Sequence, residues 1–159
     1  MNQLDIISLQ SAKDNLAIDY TDYDARITNL IKAAVDWVET YTGWYLYQRD
    51  LTIYSTSYNT KISAYPVVLG EVKNSKGDVV IVTPQYYGLY FTICCPPQSS
   101  IKLTVGFAQA DLDQIPGTMI EAANKLIVYM FENKDMYGTQ LPTDIQILLN
   151  QFRRSATIL

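Results

Sequence analysis

The sequence contains no histidine and only two cysteines, the neighbours Cys94 and Cys95. Without imidazole there is no histidine general base, no Ser-His-Asp or Cys-His pairing and no histidine metal ligand. Adjacent cysteines rarely meet disulfide geometry, and one pair without histidine cannot complete a tetrahedral zinc site. They read as strand residues in a reducing compartment. No window approaches about 18 consecutive apolar residues, so no membrane contact through a spanning helix is expected. Met1-Asn2-Gln3-Leu4-Asp5 has neither the basic region nor the apolar run of a signal peptide, which predicts a soluble chain made in a cytoplasm. Repeats and low-complexity linkers are missing too. The 159 residues, 48% of them apolar, are therefore expected to form a single domain over 1–159.

Basic charge is also scarce: 12 Lys and Arg stand against 16 Asp and Glu, for a net charge of −4. The distribution is uneven. Asp5, Asp14, Asp19, Asp22, Asp24, Asp36 and Glu39 oppose only Lys13, Arg26 and Lys32 in residues 1–43, while the remainder of the chain is balanced. An acidic chain without a basic cluster is poorly suited to gripping phosphates and better suited to a protein partner or to repelling nucleic acid.

No P-loop, GxGxxG, GxSxG or HExxH motif is present. Asp111 and Asp113 stand two apart before Pro116, but the series is too short for an EF-hand and reads as solvated loop carboxylates. No catalytic residue, cofactor or metal is expected. The 13 tyrosines are the unusual feature. Tyr41, Tyr45 and Tyr47 surround Trp44, and Tyr86, Tyr87 and Tyr90 cluster further on. Base stacking on a single-stranded nucleic acid is one reading, although the interleaved Lys and Arg of such surfaces are sparse. Core and protein–protein interface, with ring packed and hydroxyl wet, is the favoured one.

Periodicity predicts an α+β chain: two N-terminal helices, a small, mostly antiparallel sheet, and two C-terminal helices. Ser8 caps a first helix to about Leu16, with Leu9, Ala12 and Leu16 on one face. Thr21 or Asp22 is expected to cap the second, whose apolar positions are Ile27, Leu30, Ile31, Ala34, Val38 and Tyr41, and Gly43 ends it. The helical blocks cover about 8–43 and 116–154, and the β region about 44–107. Candidate strands are 49–55, 61–64, 69–73, 79–82, 89–93 and 100–105, with a hairpin turn at 74–78. Tyr65-Pro66 and Pro96-Pro97 mark corners or edges. Pro116 suits a first helical turn, and Gly138 stops that helix. Its apolar stripe covers Met119, Ile120, Ala122, Ala123, Leu126, Ile127, Met130 and Phe131. So wide a stripe implies burial on two sides, deep in the domain or against a second subunit. A last helix carries Ile145, Leu148, Leu149 and Phe152, with Arg153-Arg154 at its negative end.

Three stretches resemble the tailed-bacteriophage head–tail connector family, the ring-forming head-completion or adaptor proteins. The first is Leu30-Ile31-Lys32-Ala33-Ala34 through Val38-Glu39-Thr40-Tyr41-Thr42-Gly43, similar to a long helix ending in a Thr-Gly stop. The second is Ile62-Ser63-Ala64-Tyr65-Pro66-Val67, leading to Val105-Gly106-Phe107. The third runs from Ile115-Pro116 through Ala122-Ala123 and Tyr129-Met130-Phe131-Glu132-Asn133-Lys134 to Leu141-Pro142 and Leu148-Leu149-Asn150-Gln151-Phe152-Arg153.

The resemblance implies a non-enzymatic virion protein at the head–tail interface, assembled in host cytoplasm as a homo-oligomeric ring, typically dodecameric. Its partners would be the portal protein and the next connector, stopper or tail protein. Viral double-stranded DNA would pass through the ring unbound. On that expectation Ile120, Ile127, Met130 and Phe131 pack the ring, and Phe152, Arg153 and Arg154 dock to the portal. Asp22, Asp24 and Asp36 form an acidic lumen or rim. The alternative is a small tyrosine-rich binding module for single-stranded nucleic acid or a ligand.

Overall fold

The computed structural model describes residues 2–87, 90–133 and 141–153. Three helices, not two, open the chain. A short helix α1 (Gln3–Ile6) precedes the expected one, built by a capping box in which Asn2 accepts from the Leu4 N–H and Asp5 accepts from the Asn2 N–H at 2.7 Å. Helix α2 (Leu9–Asn15) is capped by Ser8, whose Oγ accepts from the Ser11 N–H at 3.1 Å. Ser8→Ala is expected to lower stability by about 1 kcal/mol in urea unfolding, the usual worth of such a cap.

Helix α3 (Asp24–Thr42) buries Ile27, Leu30, Ile31, Ala34, Val35 and Val38, the core-facing row that the spacing predicts. It starts later than expected. Neither Thr21 nor Asp22 caps it; Tyr23 precedes it without a side-chain cap, and the Thr21 carbonyl accepts from the Asp24 N–H. Tertiary packing fixes this turn: the Tyr23 ring meets Phe131 edge-on at 5.5 Å. Gly43 closes the helix in the left-handed region, φ 74°, as its position implies.

The β region forms two three-stranded antiparallel sheets. One has the order β1 (Arg49–Tyr54), β6 (Ser100–Val105), β3 (Val67–Lys73). The other has the order β2 (Asn59–Ile62), β5 (Phe91–Cys94), β4 (Gln85–Tyr86). Their apolar sides share one cluster, with Val72, Ile101, Leu103 and Val105 from the first and Ile62, Phe91 and Ile93 from the second. The expected strand at 61–64 is shifted two residues earlier, because the Tyr65 carbonyl turns away to accept from the Tyr45 N–H. Of the expected strand at 89–93, Leu89 lies outside the described residues, and the strand observed is Phe91–Cys94. Residues 79–82 do not form a strand; only Val79 bridges back to Lys73. The 74–78 turn is present, with the Asn74 N–H donating to the Asp78 carbonyl and Gly77 at φ 91°.

A 3-10 turn (Gln109–Gln114) leads into α4 (Gly117–Glu132), for which Pro116 serves as cap and not as first-turn residue. Helix α4 packs against α2, α3 and α5 (Thr143–Asn150), which explains its wide apolar stripe within one subunit. Gly138 lies outside the described residues. The helical cluster and the sheet cluster are distinct, and they meet at residues 44–47: Trp44, Leu46 and Tyr47 pack with the helices, Tyr45 with the sheets.

Candidate functional site

The turn from α3 into β1 carries a buried carboxylate. Glu39, 7% exposed, accepts through Oε1 from the Leu46 N–H at 2.6 Å and from Arg49 Nη1 at 3.2 Å. Its Oε2 accepts from Arg49 Nη2 at 2.7 Å. The guanidinium lies between the rings of Tyr45 and Tyr47, 4.6 and 4.4 Å from their centroids. Burial drives the Glu39 carboxyl above the ordinary carboxylate range, outweighing the Arg49 and Leu46 hydrogen bonds that pull it down. Arg49 is itself partly desolvated, but its bonds to Glu39 hold it above its ordinary value, so the guanidinium stays charged. The two directions differ on whether the charged pair is favoured. Glu39 decides, because it is the more buried partner.

A cavity of about 290 Å³ adjoins this pair, lined also by Thr40, Trp44, Tyr45 and Ser63. Both Glu39 oxygens are already engaged, so the site offers no free base. What it does is fasten the helical layer to the sheet. Trp44 extends the same junction: its indole N–H donates to the Phe152 carbonyl at 3.0 Å, and its ring meets Tyr65, Phe107 and Phe152. Among the described residues no three Asp, Glu or Cys side chains gather into a metal-binding group, and no helix is long and apolar enough to cross a membrane.

The residues expected at interfaces have varied surroundings. Ile127 and Met130, 1% and 6% exposed, are buried in the subunit's own helical core; Ile120 and Phe131 are partly buried against it. Phe131 also carries Arg26 over its ring at 4.5 Å, with Arg26 donating to its carbonyl. Phe152 is held by Trp44, and Arg153 lies over the Tyr41 ring at 5.4 Å. Arg154 lies outside the described residues.

The acidic segment is less bare than its composition implies. Asp24 pairs with the buried Lys13 at 2.7 Å, Asp36 accepts from Gln3, Asp14 accepts from Gln10, and Asp5 belongs to the capping box. Asp22 is exposed. The Glu39–Arg49 pairing, ten residues apart, was not visible in the sequence, where neither residue follows a motif. Nor were the most exposed apolar groups, Ile81 at 97%, Tyr54 and Tyr86 at 70%, and Val68 at 68%.

Residues 6–75 match the phage gp6-like head-tail connector family. The match runs from the last residue of α1 to just past β3 and so includes the Glu39–Arg49 junction. No curated protein matches the sequence. Among solved structures, the fold is similar to a chain in the neck of an empty gene transfer agent particle computed with C6 symmetry, with a TM-score of 0.76 at 16% identity. It is also similar to chains in the neck of the native particle computed with C12 symmetry, TM-score 0.72 at 16% identity, and in the native virion, TM-score 0.70 at 15% identity. In each case 96% of this chain and 91% of the other is covered. At such identity these likenesses establish a shared fold.

Proposed function

We propose that this chain is one subunit of a homo-oligomeric connector ring in a phage-like particle, seated between the portal and the next neck or tail component. Double-stranded DNA passes along the ring axis. The observation that carries this reading is the likeness, over 96% of the chain, to a fold found in particle necks computed with C6 and C12 symmetry. A closed ring of identical subunits uses two different complementary patches on each copy. With Ile127 and Met130 committed to the core, Ile120 and Phe131 are the two of those four α4 side chains that keep surface to offer a neighbour. Phe152 and Arg153 follow α5, the first against Trp44 and the second over Tyr41, and we assign them with Arg154 to portal docking. Exposed Asp22 and Asp36 face the channel in this reading, where carboxylates repel phosphates and let a duplex slide. Asp24 acts there with its charge largely met by Lys13.

Electron microscopy and native mass measurement of the full chain, with and without a portal ring, test the proposal. Rings are expected when the portal is present, along with no salt-sensitive affinity of the free chain for oligonucleotides. A chain that stays monomeric beside the portal overturns it, and oligonucleotide binding that weakens steeply with salt would favour the tyrosine-rich binding module instead.

A further inference from the structure

Residues 79–83, closed by Pro84, have a strand's sequence and a strand's alternation, but only the first two pair with a neighbouring strand, β3. Val79, Ile81 and Thr83 are exposed, Ile81 at 97%, whereas Val80 and Val82 pack against the sheet cluster. This period of two, in β-branched residues, is that of a half-buried strand. Backbone pairing stops after the first two residues, with the Lys73–Val79 bridge and the Val80 N–H donating to the Val72 carbonyl at 2.8 Å. Among the described residues Ile81, Val82 and Thr83 make no backbone hydrogen bond. Natural edges of this kind are usually blunted by a charge or a bulge. Here the stretch from Val79 to Thr83 holds no charged residue.

Spatial order supplies the partner. The segment continues the β3 side of the sheet ordered β1-β6-β3, and the opposite edge of that sheet is β1, six residues long and paired on its outer side with no strand among the described residues. From Leu51 to Tyr54 that edge is likewise uncharged. We infer that residues 79–83 of one copy add as a strand to the β1 edge of the next copy, joining subunits head to tail. Opposite edges of one sheet give the two different patches that a closed ring uses. The pairing area also fits. A strand this short covers less than the about 800 Å² per partner of a stable free pair, so the contact holds where each copy makes it twice and the ring closes. This inference rests on the ring reading above.

Ile81→Lys tests it, because a residue so exposed leaves the free subunit's melting temperature unchanged. The substitution is expected to reduce portal-dependent ring formation about tenfold or more, since it places a charge in the shared sheet. In a Cys94→Ser background, Ile81→Cys combined in turn with Asp50→Cys, Thr52→Cys and Tyr54→Cys is expected to give a ladder of disulfide-linked oligomers for at least one pair. Rings that form normally with Ile81→Lys, with no ladder from any pair, overturn the strand addition and leave the ring standing. Ile81→Lys rings that form but fail to join the next neck component assign the segment to another protein and overturn the copy-to-copy contact. Wild-type chain that never forms rings overturns the ring reading, and this inference with it.

Discussion

Glu39→Ala is expected to destabilise the protein by about 3–5 kcal/mol, the usual result of stripping one partner from a buried ion pair. For a domain of this size each kcal/mol lowers the melting temperature by about 2–4 °C, so thermal or urea unfolding resolves the loss easily. Two groups are orphaned at once: the Leu46 N–H, on a fully buried residue, and the Arg49 guanidinium between two tyrosine rings. Glu39→Gln keeps an acceptor for Leu46 and is expected to cost markedly less. The pH dependence separates these effects further. A carboxyl whose folded pKa is raised holds its proton more tightly in the folded chain than in the unfolded one. Its stabilising contribution is therefore full below the unfolded value, near 4.5, and is lost as pH rises through the higher folded value. Wild type is expected to lose stability over that interval relative to Glu39→Gln, whose stability lacks this slope.

The second large effect is Gly106→Ala. Gly106 follows β6 at φ 88°, and a Cβ there would run into the Tyr47 carbonyl and come within 2.9 Å of the Gln48 nitrogen. Those neighbours are backbone, held by the β1–β6 register that pairs Arg49 with Val105, and cannot swing aside. Backbone strain and collision together are expected to cost about 3–5 kcal/mol, read as a lowered urea midpoint and reduced soluble yield. Gly77→Ala is the control. Gly77 has φ 91°, and a Cβ there would find nothing within 4 Å, so only the left-handed penalty of about 1–2 kcal/mol remains. A similar loss at both glycines would contradict the steric explanation for Gly106.

How far these features could be read beforehand depends on the range of the interactions behind them. Ser8, Gly43 and the buried row of α3 are local matters of cap, stop and period, and the sequence carries them openly. So does the strand 100–105, whose alternation is set by burial on one face. The start of α3 was misplaced because Tyr23 answers to Phe131, more than a hundred residues away. The division into two sheets was hidden too, since strand pairing across a sandwich leaves no local mark. Residues 79–82 have the pattern of a strand, yet a single chain provides their backbone with almost nothing to pair with. For the candidate site, composition located the acidity but not its disposal: Asp5, Asp14, Asp24, Asp36 and Glu39 are engaged within the subunit. The apolar face of α4 was correctly seen as doubly covered, while which bodies covered it was a question of tertiary packing.

The seat of Trp44 has an optical consequence. The chain has two tryptophans, and Trp37 lies on α3 against the helical cluster, whereas Trp44 bridges that cluster and the residues after α5. With Trp37 replaced by phenylalanine, fluorescence comes from one indole whose N–H is bonded to the Phe152 carbonyl. Its emission then reports the release of the C-terminal helix as an event separate from melting of the sheets, in the isolated subunit or during assembly.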